Sequence, residues 1–289
     1  MHFLQAALLA SSLFVAHASV LPITPKHTPR TLSKRAEPNT GDDFPEDETP
    51  VPNRLNKIET AFKDAIEMTS VVLSLIETDE TIYPHYFDSA DREEITRIFR
   101  DLNNNDEGHE MLGNFLVQTT DTDNLCGDQA LAYSGDFNTD QPFIVICPRA
   151  FNKKAIGDLE GKDRGDEDAT DFYAGCAEGG GDIGDNVSFH FNTLGMTLLH
   201  EYMHYDLMIQ ATFDGTATSI IDDPDGNPGY GSVAVYDRLP KQSARKNADS
   251  YAYYAAEVYW SLICQKEFQA PREGVDDADP DCGDQVCET

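Results

Sequence analysis

Two histidines four residues apart stand in the stretch Leu199-His200-Glu201-Tyr202-Met203-His204-Tyr205. Folded as a helix, this stretch puts both imidazoles on one face, one turn apart. Met196, Leu199, Met203 and Leu207 then form an apolar stripe toward the core, with the histidines turned about 100° away from it. We read a helix over 192–210, entered from a strand over 187–191. Two imidazoles so placed can share one Zn²⁺. Glu201 sits where its carboxylate reaches a metal-bound water without binding the metal. Zinc lowers the pKa of that water to about 7, and the carboxylate completes its deprotonation and later returns the proton.

Such a site needs a third protein ligand. His204 is not followed by the His-x-x-Gly-x-x-His spacing of the metzincins, so the candidates are acidic. Asp222, Asp223 and Asp225 lie in an Asp-Gly-Pro-rich loop ending Tyr230-Gly231, and Asp214 precedes them. Asp249 and Glu257 fall on the last helix. A Glu from a later helix and an Asp from the loop would define two different classes of zinc site.

The rest of the chain must supply a scaffold. Leu55, Ile58, Phe62, Ile66, Val72 and Leu75 recur near helical spacing, and a second helix is expected from Asp91 with Glu94 closing a capping box. Short β-rich runs at 115–118, 130–133 and 143–147 read as strands. A last helix is expected over 243–268, with Ala248, Ala252, Ala255, Tyr259 and Leu262 as its apolar stripe. Helices, then strands, then helices imply an α+β domain.

The ends of the chain carry other signals. The apolar run 3–15 followed by Ala16-His17-Ala18 reads as a signal peptide over residues 1–18, too short to span a membrane. Residues 19–35 end in Lys34-Arg35 and read as a short propeptide, with 36–51 a flexible acidic lead-in. The metallopeptidase-like domain is then 52–270, and 271–289 an acidic, Cys-containing tail. The expected location is therefore extracellular. Six cysteines in an exported chain read as three disulfides, at least one joining Cys282 or Cys287 of the tail to the body. Asn186-Val187-Ser188 is a glycosylation sequon.

The formal charge of −31, with 52 Asp+Glu against 21 Lys+Arg, excludes a nucleic-acid binder that works through a basic surface. Loss of the first 35 residues would take the charge to −35, because they hold four Lys+Arg and no acid. Peptide or protein substrates, no membrane partner and a monomer are expected.

His200-Glu-x-x-His204, the Asp-Gly-rich loop ending Tyr230-Gly231 and Asn247-Ala-Asp249-Ser-Tyr251 together resemble the deuterolysins and lysine-specific metallo-endopeptidases, the aspzincins. The resemblance covers about residues 194–260. It implies a zincin-like fold, one Zn²⁺ per chain and endopeptidase activity, with Glu201 and Tyr230 catalytic and His200 and His204 ligating. The family pattern Gly-Thr-x-Asp-x-x-Tyr-Gly puts the third ligand three places before the Tyr, where this chain has Asn227. The nearest Asp is Asp225, which we take as the ligand, with Asp223 and Asp222 behind it. In the lysine-specific relatives the Asp matching Asp249 binds a substrate lysine past the scissile bond. A second acid one turn later is Ala252 here, so a bias toward Lys or Arg is expected rather than strict specificity. The alternative is a secreted zinc-binding protein that kept the fold without hydrolysis; the intact Glu201 favours the enzyme and the altered loop favours the binder.

Overall fold

Helix α1, Arg54–Leu75, buries Ile58, Ala61, Phe62, Ala65, Met68 and Val72, the face its sequence periodicity marks out. A computed structural model describes residues 39–41, 44, 54–103, 112, 114–127, 130–135, 141–160, 176 and 183–276. All lie within one compact unit, Arg35–Thr289. The expected signal peptide and propeptide fall outside the described residues. So does most of the tail, with Cys282 and Cys287.

Three further helices complete the main frame: α2, Arg92–Asn103, α3, Leu194–Met203, and α4, Ala248–Cys264. α1 packs against all three, and α3 packs against α4. Gly195 makes the α1–α3 crossing possible, since a Cβ there would come within 2.6 Å of the Asp64 Cβ. Four strands, β1 Asn39–Thr40, β2 Leu116–Gln118, β3 Ala132–Gly135 and β4 Phe143–Ile146, form a sheet in the order β1-β2-β4-β3. β1, β2 and β4 run parallel, and β3 is an antiparallel edge strand beside α3. The architecture is α+β, as the order of elements implied.

The tyrosine-rich sequence of α4 looks polar for a core helix, yet Tyr251, Tyr253, Tyr254, Tyr259 and Trp260 are almost fully buried. Their hydroxyls explain it. Tyr251 donates to the Arg245 carbonyl at 2.8 Å and Tyr254 to Asp79 at 3.1 Å, so the rings are buried without stranding a polar atom.

Several expectations are corrected. The helix carrying the histidines does not run over 192–210: Thr193 caps it by accepting from the Met196 N–H, His204 is its C-cap, and Tyr205 leaves helical geometry. Leu207, expected in the stripe, is consequently 36% exposed. The strand expected over 187–191 is a 3₁₀ turn, Phe189–Phe191, because Ser188 accepts the His190 N–H and bends the chain. Asp88, not Asp91, caps the turn leading into α2; Asp91 pairs with Arg245 and Glu94 with Arg97. α4 starts at Ala248, after the Asn247 cap, and Leu262 on its expected stripe is 42% exposed. The lead-in contributes β1, which pairs with Leu116 and Val117.

Disulfides join Cys126 to Cys147 and Cys176 to Cys264. Both stay within the body and use all four of its cysteines; the expected bridge from Cys282 or Cys287 of the tail lies outside the described residues. No helix among the described residues is long and apolar enough to cross a membrane.

Candidate metal centre

His200 lies in the last turn of α3 and His204 at its C-cap, so one helix end delivers both imidazoles. Their Nε2 atoms are 3.3 Å apart. Asp222 Oδ1 completes a triangle, 3.0 Å from His200 Nε2 and 3.1 Å from His204 Nε2. Ligands of a tetrahedral zinc with bonds of about 2.0–2.1 Å are themselves about 3.3 Å apart, so the three atoms fit that ion. Among the described residues this is the one cluster of His, Cys, Asp or Glu placed to hold a metal ion.

The tautomers follow from the outer partners. His204 Nδ1 lies 3.0 Å from the Ile220 carbonyl, which can only accept, so Nδ1 carries the proton. His200 Nδ1 lies 2.6 Å from Asp249 Oδ1, while Asp249 Oδ2 accepts the Gly231 N–H at 2.8 Å. Both carboxylate oxygens thus accept, and His200 too is protonated on Nδ1. With neutral rings, each Nε2 turns a lone pair toward the other and toward Asp222 Oδ1, a buried oxygen without a hydrogen-bond donor. Three acceptors facing one point repel unless positive charge sits among them.

The field of the pocket agrees. Burial pushes the His200 imidazole toward neutrality, but Asp249 and Asp222 more than offset it and raise its pKa well above the usual value. His204 is raised in the same way, burial being outweighed by Asp222. Burial disfavours the Asp222 carboxylate, but the two histidines hold its pKa far below the usual range. The pocket draws in a cation or a proton.

The third corner is not the residue expected. Asp225 sits in the left-handed region at φ 59° on an exposed turn, where it accepts from Ser243 Oγ at 2.9 Å and Lys246 Nζ at 3.3 Å. Those bonds turn its carboxylate to the start of α4 and lower its pKa. Asp223 is exposed, and Asp214 pairs with Arg245. Glu257 is buried against the Tyr86 hydroxyl at 2.7 Å. The structure thus brings Asp222, and not Asp225, to the histidines.

Asn247 is what sets the path of this loop. Its Nδ2 donates to the Asp222 carbonyl at 2.7 Å and the Gly229 carbonyl at 3.1 Å, closing both ends on the start of α4. Its Oδ1 caps α4 through the Ser250 N–H at 2.8 Å. Gly229 is required there, because a Cβ would fall 2.1 Å from Asn247 Nδ2 and 2.3 Å from the Asp222 carbonyl oxygen. Tyr230, next in the chain, stacks on the His200 ring at 6.0 Å and 21°. Burial, then the negative charge of Asp222, raises its pKa, so the phenol stays protonated.

Asp249 is also corrected. It does not point into a substrate pocket: one oxygen holds His200 and the other the Gly231 N–H, so the bias toward basic residues loses its basis. Glu201 is buried beside the pair and accepts a hydrogen bond from the Ser134 hydroxyl of β3. Sequence reasoning missed Ser134, which lies 67 residues before Glu201 and has no motif around it.

No family model matches the chain, and a search of curated proteins finds no match either.

Proposed function

We propose that this protein is an exported zinc endopeptidase of the aspzincin type, with His200, His204 and Asp222 as the ligands. The observation behind this reading is the convergence of His200 Nε2, His204 Nε2 and Asp222 Oδ1 within 3.0–3.3 Å of one another. An ion held by such a set supplies Lewis acidity, polarising a carbonyl and acidifying a water. The chain's own groups do the rest. Glu201, next to the first ligand and buried, accepts a proton and returns it to the leaving amine. Asp249 and the Ile220 carbonyl hold the imidazoles in the ligating tautomer. Tyr230 keeps its proton and donates to the oxygen on which charge develops.

The test is cleavage of unfolded casein by the purified, processed protein, with and without a chelator. Cleavage that a chelator abolishes and added zinc restores is the expected result. A protein inert under both conditions, or one indifferent to the chelator, would reject the assignment.

A further inference from the structure

We propose that Ser134 is a positioning residue for Glu201: its hydroxyl fixes Oε2 of the carboxylate so that Oε1 is the oxygen that takes the proton. The inference rests on the reading of Glu201 as a general base.

Side chains alternate along β3, so Tyr133 and Ser134 face opposite ways. Tyr133 packs with Cys126, Cys147 and Phe143 on one face of the sheet. Ser134, on the other, meets α3 and donates to Glu201 Oε2. The strand that carries it is anchored on three counts. Ser134 is in register with Ile144 of β4. The Tyr133 hydroxyl donates to Asp121 Oδ1 at 2.8 Å, and Asp121 also takes the Leu125 and Cys126 N–H groups at 3.0 and 2.9 Å. The Cys126–Cys147 disulfide ties this loop to the end of β4. The hydroxyl therefore reaches Glu201 from a rigid support.

Glu201 is only 5% exposed, and a buried carboxylate without a donor would swing to find one. Holding one oxygen leaves one orientation for the other, and a general base works only when its accepting oxygen is within hydrogen-bond reach of the proton.

Ser134→Ala should lower kcat on a peptide substrate by about ten- to a hundredfold, the effect of one hydrogen bond to a charged group, while KM and zinc content stay put. Ser134→Thr, which keeps the hydroxyl, should recover most of the rate. In a Glu201→Gln background Ser134→Ala should cost nothing further. Equal losses in both backgrounds, an unchanged kcat, or a Thr variant as slow as Ala would overturn the proposal. A second readout needs no turnover. In chelator-treated protein Ser134→Ala should lower the melting temperature, and the drop should vanish when Glu201 is already Ala; an equal drop in both rejects the contact. If wild type does not cleave, the peptidase reading fails while this melting cycle still reports on Ser134. If wild type cleaves and Ser134→Ala matches it, only the present inference falls.

Discussion

Glu201→Gln should reduce hydrolysis by at least about a hundredfold while zinc remains bound, the usual range for loss of a general base being about 10²–10⁴. The change is nearly isosteric, and the amide carbonyl can still accept from the Ser134 hydroxyl that now touches Glu201. What it removes is the capacity to take a proton. The proposed ligand atoms belong to His200, His204 and Asp222, so the exchange should leave zinc binding intact. Rate measurement beside metal analysis separates the two readings drawn from the sequence. A zinc-loaded wild type that cleaves nothing makes the protein a binder, and a Gln variant as fast as wild type removes Glu201 from the chemistry.

The second large effect concerns the loop. Asp222→Asn should weaken zinc binding by about a hundredfold or more, since loss of an outer partner alone typically costs 10–100-fold and Asp222 offers the ligand atom itself. Asp225→Asn should leave affinity within about threefold of wild type, because its exposed carboxylate bonds Ser243 and Lys246 rather than the histidines. Competition against a chromogenic chelator would read both. A large loss for Asp225→Asn with little for Asp222→Asn would restore the ligand first inferred from the sequence.

That reversal shows where sequence reasoning stops. His200, Glu201 and His204 were legible because their relation is local, fixed by helical geometry over five residues. The three strands near 115–118, 130–133 and 143–147 were legible for the same kind of reason, short β-rich runs between breakers. Asp222 was not, because eight residues separate Ile221 from Tyr230 and spacing cannot say which carboxylate turns inward. Contacts from elsewhere decide it: Asn247 grips the loop at Asp222 and Gly229, and Ile221 bridges to Asn247. The role of Asp249 depends on the same docking, since only the fold puts it against His200. The early end of α3 had no marker either; no Gly or Pro stands between Met203 and Gly215, and the chain turns at Tyr205, whose ring packs on Phe115.

The most direct measurement is the zinc content of the purified protein and of its His200→Ala variant, by elemental analysis after exhaustive dialysis. A centre built from His200, His204 and Asp222 requires about one zinc per wild-type chain and almost none in the variant. Wild type without zinc, or a His200→Ala protein that retains it stoichiometrically, would contradict the assignment.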